Sequence, residues 1–167
     1  MDAWLEIMKE TTEKPDKQLR DKVKEKIFSI PNFNENKVAL FCNFMPFYDL
    51  ESNKIIAKKI INQYILSNNI KMQIALSAII VNVLAVSLDE NNEKDVNYFI
   101  TNAKKIKIRP ELVFYKLALS FFENMINYRT TKNTKFFNKS KEVVNILISI
   151  DMSQYGATLQ RLLLKYK

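Results

Sequence analysis

Apolar residues recur along the chain at three- and four-residue spacing, the period of a helix with one buried face. Trp4, Leu5 and Met8 start a short amphipathic turn that Pro15 ends or restarts. Leu19, Val23 and Ile27 follow at spacing four on a highly charged stretch. Pro31 and the Asn32/Asn34 pair predict a turn with cap candidates. Val38, Phe41 and Met45 then mark a helix closed by Pro46. Asp49 is placed to cap a helix carrying Ile56, Ile60, Ile61, Tyr64 and Ile65 on one side, and Ser67-Asn68-Asn69 breaks it. Met72–Leu88 is apolar nearly all round, so it should be central and buried. A polar turn at 89–92 leads to the stripe Val96, Phe99, Ile100, Ala103 and Ile106. Pro110 suits the first position of a helix from Glu111 to Tyr128. Val143, Val144, Leu147 and Ile148 define the next helix. Asp151 or Ser153 should cap the last, with Tyr155, Leu159, Leu162, Leu163 and Tyr166 on one side.

The pattern predicts an all-α chain of eight or nine helices. It contains a loose repeat of about forty residues: a buried helix (72–88) and an amphipathic one (95–106), then the same pair again (111–128, 136–150). Composition narrows this further. The 167 residues suit one domain, 1–167, and include one Gly and four Pro. A lone glycine cannot furnish the positive-φ turns of an all-β protein or the phosphate loops of a nucleotide fold. The absence of histidine removes Ser-His-Asp and Cys-His catalysis and His-ligated zinc. A single cysteine, Cys42, excludes an intrachain disulfide and a multi-cysteine metal site, and reads as a small buried hydrophobe. Asp89, Glu90, Glu93 and Asp95 lack the order of a calcium loop and read as a solvated turn. No enzymatic constellation, cofactor site or metal site is expected. The start, MDAWLEIMKETTEK, lacks the basic and apolar regions of a signal peptide, and a cytoplasmic protein is expected.

The net charge of +8 is unevenly spread: 13 basic against 14 acidic residues over 1–100, and 13 against 4 over 101–167. A basic final third suits nucleic acid or another anionic partner, whereas lysines scattered between apolar positions also suit a plain coding bias.

Three segments in this order resemble one family. Residues 38–50, VALFCNFMPFYDL, are similar to the Leu-Phe-x-Asn segment and Phe-rich helix end of the Rgg/GadR/MutR transcriptional regulators. Ile79–Leu84 with Asn82, followed by Asp95–Ile100, resembles that family's buried Leu-x-Asn helix and the hairpin after it. Val143–Asp151 and Leu159–Tyr166 resemble its C-terminal pair of helices. The resemblance covers Val38 to the end. It implies a tetratricopeptide-like right-handed superhelix of antiparallel hairpins that dimerises, binds a short signalling peptide in a concave groove, and serves quorum sensing. The family's helix-turn-helix DNA-binding domain is not found before Trp4, so DNA is expected to be reached only through a domain absent from this chain. No membrane partner is expected.

Asn82 interrupts an apolar helix, and its amide offers both donor and acceptor to an extended peptide's backbone; a bond to a neighbouring helix is the alternative. Lys116, Ser120, Glu123, Asn124 and Asn127 form one polar stripe that either lines the groove or faces solvent. Phe41, Phe44, Phe47 and Tyr48 serve as core or as peptide pockets. Tyr155, Leu159, Leu162, Leu163 and Tyr166 either pack on the preceding hairpin or form a two-fold dimer contact. A helical-repeat scaffold binding a partner protein without any small ligand, and direct nucleic-acid binding, stand beside the peptide-sensing reading.

Overall fold

The computed structural model describes residues 32–90, 92 and 94–166, and six positions between 18 and 29. The expectations at Trp4, Leu5, Met8, Leu19, Val23 and Ile27 lie outside the described residues. Among the described residues every regular element is helical, and there are seven α-helices and two 3₁₀ turns. They fall into two compact units, 1–112 and 113–167.

In the first unit, α1 spans Glu35–Phe44, α2 Leu50–Tyr64, α3 Ile70–Asp89 and α4 Val96–Ala103. Asparagine and aspartate side chains set three of the starts by satisfying amides that the helix itself leaves unpaired. Asn34 Oδ1 accepts from Lys37 N at 3.0 Å. Asp49 takes the Ser52 N–H at 2.8 Å on one oxygen and the Ser52 hydroxyl at 2.8 Å on the other. Asn69 Oδ1 accepts from Lys71 N (2.9 Å) and Met72 N (3.3 Å). Pro46 ends α1 in a 3₁₀ turn, Met45–Phe47.

The nearly all-apolar α3 is the core, with α1, α2 and α4 packed on it. Leu76, Ile79, Ile80 and Leu84 are fully buried there, beside Phe41, Ile56, Ile60, Ile61 and Phe99. Each such side chain contributes roughly 1.5–3 kcal/mol by leaving water. Length and composition would let α3 cross a bilayer, but two-thirds of its apolar window is buried inside the protein. Two loops are tied at its start. The fully buried Gln73 donates from Nε2 to Ile65 O at 3.2 Å, and its Oε1 accepts from Lys107 N at 3.2 Å.

The helix expected over 95–106 is shorter. Asp95 enters it at φ 66° without capping it, and after Ala103 the chain unwinds through i→i+3 bonds to Ile106.

In the second unit α5 (Val113–Thr131), α6 (Thr134–Ser149) and α7 (Ser153–Lys165) are joined by turns of two and three residues. A 3₁₀ turn at Pro110–Leu112 precedes α5. Such short turns reverse the chain, so α6 runs against both its neighbours. The α5 core carries Phe121, Phe122 and Met125, all fully buried, and Ser140 of α6 donates to Phe121 O at 3.3 Å. Gly156 lets α7 approach α6 closely: a Cβ there would lie 2.6 Å from Ile148 Cγ1.

Neither Asp151 nor Ser153 caps α7. The N-cap position is Met152, with no side-chain cap. Asp151 instead turns left-handed (φ 62°) and donates its N–H to Ile148 O at 3.2 Å, while Met152 N donates to Leu147 O at 2.9 Å. Closing the end of α6 takes up Asp151, one of the two residues that the sequence offered to the start of α7. Ile148, expected on the buried stripe, is 42% exposed.

Candidate functional site

Asn82 sits in the middle of α3 and is 1% exposed. Its Nδ2 donates to Met45 Sδ at 3.4 Å, a weak acceptor for an amide. Its Oδ1 has no partner among the described residues. The turn that brings Met45 there is held by a second amide. Asn53 on α2 donates to Met45 O at 2.9 Å and to Tyr48 O at 3.5 Å, while Asn53 Oδ1 and the Tyr48 hydroxyl have no partner among the described residues. Burial pushes the Tyr48 phenol up to about 12.

The Met45–Tyr48 segment thus lies among three under-used polar groups, Asn82, Asn53 and Tyr48. A buried amide oxygen without a donor costs about 1–3 kcal/mol, so this is a cluster of polar groups covered by an apolar turn. Phe41 stacks on Tyr48 at 6.3 Å and is fully buried, while Phe44 and Phe47 are half-buried and pair at 5.6 Å. Cys42 is half-buried on α1; its thiol faces Ala75 O at 3.7 Å, and burial pushes it up to about 12.

Asn53 and Lys54 escaped the reading of the sequence. Lys54 is 1% exposed; its Nζ reaches Glu51 Oε1 and Asn92 Oδ1, both at 3.2 Å. Beside it Lys58 pairs with Asp95 at 2.9 Å, and that hydrogen bond is the main reason the Asp95 carboxyl is held below its usual range. Spacing carried the signal: Leu50, Asn53, Lys54, Ala57 and Ile61 follow the three-and-four rule, which puts the two polar residues on the buried face.

The polar stripe belongs to α5, in the second unit. Lys116, Glu123, Asn124 and Asn127 are half-buried and Ser120 is exposed. Asn124 turns back on its own helix, donating to Ser120 O at 2.7 Å. Desolvation holds Lys116 below the usual lysine range. On α7, Leu159, Leu162 and Leu163 are 0, 5 and 5% exposed and are taken by packing on α6, the first of the two fates open to them. Tyr155 is half-buried, its ring 4.7 Å from Phe114, and Tyr166 is half-buried too. Outward-facing apolar area near these helices comes instead from Ile146, Ile150 and Leu164.

The family described as HTH-type transcriptional regulator Rgg, C-terminal domain, matches residues 3–161. The chain belongs to this family. The match extends the resemblance, which began at Val38, almost to the first residue, and it sets the chain among domains of transcriptional regulators. No curated protein matches the chain. Among the described residues no group of three or more acidic or cysteine side chains is placed to hold a metal ion.

A shallow depression of about 210 Å³ lies between α1 and the start of α3, lined by Glu35, Asn36, Ala39, Lys71, Met72 and Ala75. It has room for one side chain of a ligand and is smaller than ordinary ligand pockets.

Proposed function

We propose that this chain is the ligand-sensing and dimerising part of a cytoplasmic Rgg-type regulator, and that its ligand is a short signalling peptide. The hairpins α3–α4 and α5–α6 repeat the same buried-then-amphipathic order, which supports a tetratricopeptide-like assembly. The observation carrying the peptide reading is Asn82: a fully buried amide whose acceptor has no donor among the described residues and whose donor rests on a thioether. A peptide's backbone N–H and C=O satisfy both at once. For that to happen the Met45–Phe47 turn must move aside. Taken by itself, the second unit offers the stripe Lys116, Ser120, Glu123, Asn124 and Asn127 on α5 as polar contacts for a peptide. Peptide binding then biases how two copies pack, and so the spacing of any attached DNA-binding domains.

Dimerisation runs through α7, with Tyr155 and Tyr166 at the contact and Leu159, Leu162 and Leu163 holding the helix in place from beneath. Leu159→Arg should dissociate the dimer through the helix it undermines.

Selection of a random short-peptide library on the immobilised chain, followed by titration of the enriched peptide, tests the reading. Asn82→Ala should weaken binding of that peptide by about 1–3 kcal/mol and leave the dimer intact in sedimentation equilibrium. Failure to enrich any peptide, or equal affinity in Asn82→Ala, refutes the peptide site. A monomeric wild type refutes the dimer. An apolar scaffold that binds a protein partner would enrich no short peptide.

A further inference from the structure

The second unit gathers its positive charge at one end. Because α6 runs against α5 and α7, the C-terminal ends of α5 and α7 and the N-terminal end of α6 lie together. Two ring contacts fix this: Phe114 meets Tyr155 at 4.7 Å where α5 and α7 begin, and Arg129 lies 5.1 Å over the Tyr166 ring where they finish. The finishing end carries Arg129, Lys132, Lys135, Lys139 and Lys165. Neither 124–141 nor 159–166 contains an Asp or Glu.

The cations are held in place. Lys165 shares the Tyr166 ring with Arg129, at 5.5 Å, and Lys132 lies 5.9 Å over Tyr128. Tyr128 in turn packs on Phe137 at 5.2 Å. Cation–aromatic contact keeps such groups near one another despite their like charge. Lys132, Lys135 and Lys139 are exposed, and Lys135 and Lys139 stand one helical turn apart, about 6 Å along the axis.

We propose that this end of the second unit binds the phosphate backbone of duplex DNA without regard to sequence. The inference goes beyond the reading above, which leaves DNA to another domain. Charge complementarity is the argument. The aromatic side chains at this end are engaged with one another and with the cations, and Leu164, 61% exposed beside Lys165, is a single apolar side chain there among five cations. An acidic peptide needs apolar seats or a free strand edge for its specificity; a phosphate backbone needs only spaced cations.

The test is fluorescence anisotropy of the whole 167-residue chain with a short labelled duplex of scrambled sequence, from about 50 to about 200 mM salt. The wild type should bind at the low-salt end and lose affinity steeply as salt rises. The triple variant Lys132→Gln/Lys135→Gln/Lys139→Gln should bind at least about tenfold more weakly, with the log–log salt slope reduced by roughly 2–3, since each neutralised phosphate contributes close to one. All three side chains are exposed, and unchanged circular dichroism confirms the fold. Neutralising Lys71, Lys104 and Lys105 of the first unit should change neither quantity. The proposal is overturned by absence of low-salt binding, by a triple variant equal to wild type, or by equal loss in the first-unit control, which would reduce the effect to net charge. It is also overturned if polyglutamate or phosphatidylserine vesicles outcompete the duplex at matched charge, which would reassign the surface to an acidic polypeptide or a membrane.

Discussion

Replacing Asn82 by leucine should make the protein more stable and at the same time deaf to its ligand. Leucine has the same number of side-chain heavy atoms as asparagine and the same branch point, so it takes the place with modest repacking. What it removes is an amide oxygen that is buried without a donor among the described residues, a burden of about 1–3 kcal/mol. It adds a few tenths of a kcal/mol in helix propensity. What it forfeits is one N–H···S contact of 3.4 Å to Met45, worth at most about 1 kcal/mol. The balance is a gain of about 1–2 kcal/mol, or roughly 2–8 °C in Tm at this chain length. Urea denaturation followed by far-UV circular dichroism measures it as a higher midpoint with unchanged slope. A loss of 1 kcal/mol or more would show that the Oδ1 is satisfied in solution, and the reasoning from an orphaned amide would fall with it. A gain in stability paired with lost peptide binding is the signature of a polar residue kept for function at the expense of packing.

Gly156→Ala should destabilise by about 1 kcal/mol, because the collision with Ile148 Cγ1 at 2.6 Å costs about 1–3 kcal/mol and outweighs the roughly 1 kcal/mol that alanine gains in a helix. In an Ile148→Ala background the same change should stabilise; thermal melts of the four proteins of this cycle would refute the clash if Gly156→Ala raised Tm by itself. Cys42 should resist a chromogenic disulfide reagent at pH 8 in the folded chain and react fully in urea, since its thiol is pushed from 9 up to about 12; rapid labelling of the native protein would contradict its burial. The same shift makes the folded form favour the protonated thiol, so stability from this group is complete below pH 9 and is lost as pH rises towards about 12. A Cys42→Ala variant with an unaltered alkaline stability profile would sink that linkage.

Much of the fold was legible because local signals and burial agree. Asn34 and Asp49 are predicted caps and act as caps, and Asn69 does the same from the predicted break Ser67-Asn68-Asn69. The continuous apolar run of α3 announced its central place. The misplaced starts of α4 and α7 share one physical cause. Asp95, Lys132 and Asp151 all take left-handed φ, 66°, 56° and 62°, the conformation that glycine enters without strain. The chain's single glycine is used elsewhere, to bring α7 onto α6. Turns of this kind leave no glycine marker, so Asp151 is offered by the sequence as a cap of α7, and Asp95, which the acidic cluster places in a turn, also reads as the first residue of a helix. Of the candidate site, Asn82 stood out because it breaks an apolar run. Asn53 did not, because on the mixed surface of α2 one more polar residue draws no notice until the helix is given its orientation.

The amide of Gln73 has a consequence for how this molecule opens. One side chain, wholly enclosed, bridges the carbonyl of Ile65 and the N–H of Lys107, so the loop leaving α2 and the loop leaving α4 share a latch, reinforced at the surface where Lys107 Nζ donates to Asn68 Oδ1. Neither can loosen without stranding the other's backbone group in an apolar surrounding. Fluctuations there are therefore correlated: the amide hydrogen of Lys107 should exchange with solvent only in excursions that also release the chain around Ile65, and two segments more than forty positions apart in sequence behave as one cooperative patch.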